Sequence, residues 1–136
     1  GREVNEKMGK FIAGDIIDYL KLRNKLSKDI QILILGITYK ENSRDIRNTR
    51  VPDIYHSLNK QFSNIDVYDP HADYDECSNN LNIKIVKNLK QYDLIILAVS
   101  HKEFREIDFS KLKKNEQSII YDIKSFLDKD IVDKRL

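Results

Sequence analysis

The sequence predicts an α/β domain: a doubly wound, mostly parallel, Rossmann-like sheet preceded by an N-terminal helix. Three observations predict it. Continuous apolar runs such as "IQILIL" and "DLIILAVS" recur along the chain, as they do in strands buried on both faces. Segments with helical spacing stand between them, and such an order gives parallel strands joined by right-handed crossovers. The length, 136 residues, suits one domain.

Each element has its own signal. Met8, Phe11, Ile12, Ile16, Tyr19 and Leu20 recur at spacings of three and four. That predicts a helix over 5–24 with one apolar stripe. The stripe faces the core, unless part of it meets a neighbouring domain or a second subunit. "DIQILILG" (29–36) reads as a buried strand ended by Gly36. A helix over 49–62 follows, with Thr49 as its N-cap and Pro52 in the first turn, where a missing N–H costs little. Val51, Ile54, Tyr55 and Leu58 form its inner face. "NIDVYDP" (64–70) is the second strand, closed by Asp69-Pro70, and "NIKIV" (82–86) reads as a short third. "YDLIILAVS" (92–100) and "EQSIIYDIK" (116–124) are further strands. Short helices are expected over 87–91 and 101–114.

The totals exclude several classes. Forty per cent hydrophobic residues argue against disorder. Basic and acidic residues number 24 and 22, so a broad basic face for nucleic acid is not expected. Cys77 is the single cysteine. It can form no internal disulfide, and no Cys/His spacing suggests zinc or another metal. Within the polar stretch "DYDECSNN" it reads as an ordinary surface thiol, which fits the reducing cytoplasm. No apolar run approaches the ~20 residues of a membrane span. The chain starts at Gly1 without an initiator Met, so it is expected to be a piece of a longer polypeptide.

In open parallel sheets, ligands sit at the carboxyl ends of the strands. Four loops should meet there: 36–48, 69–75, 99–103 and 122–126. The first, "GITYKENSRDIRNTR", is the most informative. A dinucleotide turn needs G-x-G-x-x-G so that backbone can approach the pyrophosphate. Gly36 is followed instead by Ile37, Thr38 and Tyr39. The loop offers charge: Lys40, Arg44, Arg47 and Arg50 against Glu41 and Asp45. Lysine is a mobile point charge and arginine a rigid fork for two phosphate oxygens. A helix N-terminus next to them favours anions further. A phosphate gripped by side chains is one reading of this loop; a solvated charged loop is the other. Asp69 stands where a Rossmann acid would meet ribose, but Asp before Pro is also a common turn former. His101 follows a buried strand and could cap or line the next helix. His56 and His71 read as surface residues. Lys124 ends the last strand at the ligand edge.

Taken together, "ILGITYKENSRDIRNTRVPDIY", "VYDPHAD", "LAVSHKEF" and "VNEKMGKFIA" resemble the C-terminal, UDP-binding domain of the UDP-glucose/GDP-mannose dehydrogenase family. The match runs in order over nearly the whole chain. Its specific parts are the strand–Gly–x–x–aromatic–Lys loop, the Asp-x-Arg and the Tyr-Asp-Pro after the second strand. The resemblance implies an enzyme that oxidises the C6 alcohol of a nucleotide sugar to a carboxylate with two NAD⁺. It implies that residues 1–27 end a central linker and dimerisation helix region, and that 28–136 form the nucleotide-sugar-binding domain. It implies that Tyr39 and Lys40 hold the UDP-sugar and that Arg47 reaches the NAD phosphates; Lys124, from its place at the ligand edge, is a further substrate-binding candidate, with an ordinary surface lysine as the alternative. Asp45 would order the loop. Tyr39 stands where the family more usually has Phe, and its ring can still pack on the ligand.

The resemblance also implies absences. The catalytic cysteine, the assisting lysine and the NAD-binding glycines lie upstream of this chain. Cys77 does not match that cysteine, so no catalytic residue is expected here and the fragment should be inert alone. NAD would be bound mainly by the missing N-terminal domain, and the full-length protein would be a homodimer. "VSHKEF" and "DIKS" look more like the branch acting on UDP-N-acetylhexosamines, which implies bacterial surface polysaccharide synthesis, as of capsule or O-antigen. The alternative is a non-catalytic Rossmann-like interaction or signalling module. A phospho-receiver would need acids after the first strand, where Gly36-Ile37-Thr38 stand.

Overall fold

Alternation of side chains across each strand divides the core in two. A computed structural model describes residues 2–136. Its strands are β1 (Gln31–Leu35), β2 (Asn64–Tyr68), β3 (Leu94–Leu97), β4 (Ile119–Asp122) and β5 (Lys134–Arg135). They form one sheet in the order β2-β1-β3-β4-β5, and every neighbouring pair is parallel. Ile34 stands opposite both Val67 of β2 and Ile96 of β3. Ile32, Ile34, Leu94, Ile96, Ile119 and Tyr121 point to one face, and Leu33, Leu35, Ile95, Leu97 and Ile120 to the other. Both faces are covered, which is why β1, β3 and β4 are mostly apolar.

The first face is covered by α1 (Arg2–Leu22) and α2 (Val51–Asn59). Ile12, Ala13, Ile16 and Leu20 of α1 and Val51, Ile54 and Leu58 of α2 are buried against the sheet. The expected stripe on α1 therefore splits. Ile12, Ile16 and Leu20 go into the core, Tyr19 packs at its edge, and Met8 and Phe11 are exposed. The two helices cross closely at Gly9: a Cβ there would lie 2.7 Å from the Asp53 backbone. A polar seam ties α1 to the far end of the sheet. Tyr121 donates to Asp15 at 2.5 Å, and Lys134 pairs with Asp15 at 3.3 Å.

The second face is covered by a 3₁₀ turn (Lys102–Glu106) and by α4 (Phe109–Leu112), through Phe104, Phe109 and Leu112. The helix expected over 101–114 is thus two pieces. Asp108 divides them, because its side chain accepts the Ser110 N–H at 3.1 Å and starts α4 afresh.

Three expectations are corrected. Residues 82–86 are not a strand. Ile83 and Ile85 are buried with Lys84 exposed between them, which mimics a strand pattern. Yet the described contact with β2 is a single backbone bond, Val86 N–H to Val67 C=O at 2.8 Å. The segment instead leaves a short helix α3 (Tyr74–Glu76) and a π-helical turn (Cys77–Leu81), ended by Asn82 at φ 56°. Residues 87–91 carry no helix. The sheet also has a fifth strand, β5, too short and polar to read from "VDKRL".

Gly36 ends β1 for two reasons. Its φ of +101° disfavours any L side chain, and a Cβ would lie 2.5 Å from Val99 Cβ. Gly36→Ala is therefore expected to destabilise the fold by at least about 2 kcal/mol, from backbone strain plus overpacking. A urea titration checks this; an unchanged midpoint would refute the packing described.

Candidate functional site

The site is built where the ends of β1, β2, β3 and β4 come together. Directly after β2 stands Asp69, whose residue surface is 4% exposed. Its Oδ2 accepts the backbone N–H of Ile37 at 2.8 Å and of Thr38 at 3.2 Å, and faces His101 Nε2 at 2.9 Å. Its Oδ1 accepts the His71 N–H at 2.8 Å. Burial pushes the Asp69 carboxyl up, but the hydrogen bonds from His101, Ile37 and His71 outweigh it, so its pKa is lowered. Asp69 is thus a fully paired internal carboxylate, and among the described residues no buried side-chain N or O lacks a partner.

This pairing decides what the β1 turn can bind. In a glycine-rich dinucleotide turn, the amides after the first strand approach the pyrophosphate. Here the Ile37 and Thr38 amides are taken by Asp69, and the side of Gly36 is filled by Val99. A dinucleotide cofactor does not fit this turn in the usual way. An anion at this sheet edge must be met by side chains.

A cleft of about 610 Å³ opens beside the turn, at the switch point between β1 and β3. Its floor is Thr38 with Ala98 and Val99 after β3. One wall is α1, through Met8, Gly9 and Ile12, and Ile54 of α2 adjoins it. Tyr39 and Lys40 from the β1 loop, Arg50 before α2 and Lys124 after β4 complete it. Of the residues singled out in the sequence, Tyr39, Lys40 and Lys124 therefore line one cleft. Tyr39 is 54% exposed, so its ring is available to a ligand. Thr49 does not cap α2 as the N-cap residue; that position is Arg50, without a side-chain cap bond. Thr49 Oγ1 instead donates to Thr38 C=O at 3.3 Å and accepts the Val51 N–H at 3.4 Å, fastening the loop to the helix start.

Residues 33–129 match the model of the UDP-glucose/GDP-mannose dehydrogenase family, UDP binding domain. The chain belongs to the UDP-glucose/GDP-mannose dehydrogenase family. It is 33% identical over 140 residues to a UDP-N-acetyl-D-glucosamine 6-dehydrogenase of Salmonella typhi, covering 100% of this chain and 33% of that protein. It is 34% identical over 134 residues to Protein CapL of Staphylococcus aureus, covering 96% of this chain and 31% of that protein. The chain thus spans about a third of the length of these relatives. The fold of a UDP-D-ManNAc dehydrogenase from Pyrococcus horikoshii superimposes with a TM-score of 0.76 at 22% identity, over 98% of this chain and 31% of that one.

One motif carried over from this family, the Asp-x-Arg of Asp45 and Arg47, sits differently in space. Arg47 lies outside the cleft lining, with its side chain 86% exposed. It forms a two-pronged pair with Asp45, Nε to Oδ1 at 3.0 Å and Nη2 to Oδ2 at 3.1 Å. The hydrogen bonds from Arg47 hold the Asp45 carboxyl below its usual range. Asp45 also fixes the loop through its backbone, since its C=O accepts the Tyr39 N–H at 2.7 Å. Cys77 is not a surface thiol, which corrects the sequence reading. It is fully buried in the core, and burial, with Asp69, Glu76 and Asp73 nearby, pushes its pKa up to about 11. Such a thiol stays protonated and packs as a small hydrophobe. The hint in sequence was its spacing of four from Leu81, which also packs on this core.

Sequence reasoning named Arg50 within the basic run but did not select it, and it missed the α1 wall. The first was legible from its place just before a helix. The second depends on the helix crossing at Gly9.

The Asp69 shift has a defined consequence for acid stability. Its folded pKa lies below the ~3.9 of an unfolded Asp, so its contribution is complete above about pH 5 and is lost as pH falls through the lowered value. Asp69→Asn is expected to cost about 1.5–3 kcal/mol at neutral pH. The gap from the unsubstituted protein should narrow as the pH falls below about 4. Urea midpoints measured against pH check this; a gap that widens in acid would contradict it.

Proposed function

We propose that this chain is the nucleotide-sugar-binding domain of an NAD-dependent UDP-sugar 6-dehydrogenase. The substrate class is a UDP-N-acetylhexosamine, whose C6 alcohol the whole enzyme oxidises to the uronate for bacterial surface polysaccharide. The observation that carries this reading is the gathering of Tyr39, Lys40, Arg50 and Lys124 around one cleft at the switch point of the sheet. A UDP moiety offers a flat base for an aromatic ring and a diphosphate for mobile cations. The names of the Salmonella typhi and Pseudomonas aeruginosa relatives, both UDP-N-acetyl-D-glucosamine 6-dehydrogenases at 33% identity, support the sugar class.

In this reading the domain holds substrate and the chemistry comes from elsewhere in the enzyme. NAD is bound mainly outside this chain, in agreement with a β1 turn whose amides are already taken. Arg47, projecting from the loop tip, is the arm that reaches the cofactor across the cleft. Residues 1–27 are the end of the linker region of a homodimer, and the enzyme works in the cytoplasm. Among the described residues no helix is long and apolar enough to cross a membrane.

Calorimetric titration of the chain with UDP tests the reading. Lys40→Ala and Lys124→Ala should each weaken binding, by about 1.5–3 kcal/mol for a charge-assisted contact, or roughly ten- to hundredfold. Arg47→Ala should leave UDP affinity nearly unchanged. Equal affinity in the unsubstituted chain and both lysine variants would refute the assignment.

A further inference from the structure

The exposed turn that carries Tyr39 and Lys40 is held from beneath by one buried histidine. His101 has no exposed surface, and both its ring nitrogens serve the loop after β1. Nδ1 accepts the Asn42 N–H at 2.9 Å. A backbone amide can only donate, so Nδ1 carries the lone pair and the ring proton sits on Nε2. That proton faces Asp69 Oδ2 at 2.9 Å and Thr38 Oγ1 at 3.1 Å. The Thr38 hydroxyl then passes its own proton toward the Lys40 C=O, at 3.0 Å. Asn42 Oδ1 accepts the Lys102 N–H at 2.9 Å, which ties the turn to the residue after His101. On its outer side His101 meets the His71 ring at a centroid distance of 4.5 Å, and His71 pairs with Glu103 at 2.9 Å.

These contacts grip residues 38, 40 and 42, on both sides of the two side chains that enter the cleft. The pairing of the strands does not run through His101. β1 joins β2 and β3 through backbone pairing, continued by Gly36 N–H to Tyr68 C=O at 2.8 Å. Neither Asp69 nor His101 lines the cleft. Their hydrogen bonds are directed at the loop and its neighbours, not at a ligand.

We propose that Asp69 and His101 are positioning residues for the nucleotide sugar: a histidine locked in one tautomer pre-sets the Tyr39–Lys40 turn toward the cleft. The proposal rests on the reading that this cleft takes the UDP part of the substrate. A turn already ordered loses less conformational freedom when it binds. Removing the latch should therefore weaken binding without removing any group that touches the ligand.

The test uses the ¹⁵N-labelled 136-residue chain. Long-range ¹H–¹⁵N spectra of the imidazoles should report the Nε2–H tautomer for His101; the Nδ1–H tautomer would overturn the proposal. UDP-N-acetylglucosamine is then titrated into the unsubstituted chain and into His101→Gln, whose amide reaches the place of Nε2 but puts a CH₂ where Nδ1 accepts the Asn42 N–H. The expected result is binding weakened about tenfold, with faster amide exchange at Asn42 and unchanged exchange in β1. A folded His101→Gln chain that frees Asn42 yet binds with unchanged affinity would overturn the latch alone. No binding by the unsubstituted chain, with the Nε2–H tautomer in place, would overturn the reading beneath it. If His101→Gln does not fold, Asn42→Gly decides: it keeps the left-handed turn, lies outside the cleft lining and loses the Oδ1 that accepts the Lys102 N–H. Weakened UDP-N-acetylglucosamine binding in this variant supports the latch, and unchanged affinity refutes it.

Discussion

The Asp69 carboxylate is the contact on which the ligand edge of this domain depends. It stands at the end of β2 and receives the two amides at the end of β1. A carboxylate buried without partners would be costly. Each of its oxygens is matched by donors, so the charge is kept and the strand ends are locked together. The same arrangement spends the amides that a glycine-rich turn would turn toward a phosphate. The chemistry of the site follows from that exchange. Main-chain anion binding gives way to long side chains, and the basic residues of the loop become the available donors.

The helix α1 has a second part in the site. It packs into the core through Ile12, Ile16 and Leu20, and is pinned to β4 and β5 through Asp15. The close crossing at Gly9 lets its first turns lie low over α2, so that Met8 and Ile12 become a wall of the cleft. Apolar wall and cationic rim together suit a ligand with a flat base at one end and charge at the other. One element thus supports the fold and shapes the cavity, and the exposed ring of Phe11 is left on its outer side.

Much of the fold was legible because it rests on local pattern. The strands at "QILIL", "LIIL" and "IIYD" are short apolar runs that a sheet buried on both faces requires, and Gly36 marks a turn that only glycine accepts. The alternation of Ile83 and Ile85 misled, because burial beside a sheet edge has the same period as pairing in it. Cys77 misled for the opposite reason: its neighbours are polar, and its burial comes from the turn that carries it inward. In the site, Tyr39 and Lys40 could be named through the aromatic-Lys motif of the family the loop resembles, and Lys124 because it sits just past β4. The joining of Asp69 to His101 could not be seen, since 32 residues separate them and neither shows a partner in its own segment.

A crystal structure of this chain with UDP tests the central claim most directly. The account expects the diphosphate against the Lys40 and Lys124 ammonium groups, with the Ile37 and Thr38 amides still donating to Asp69. A diphosphate seated on those two amides, with the Asp69 carboxylate swung away, would contradict it.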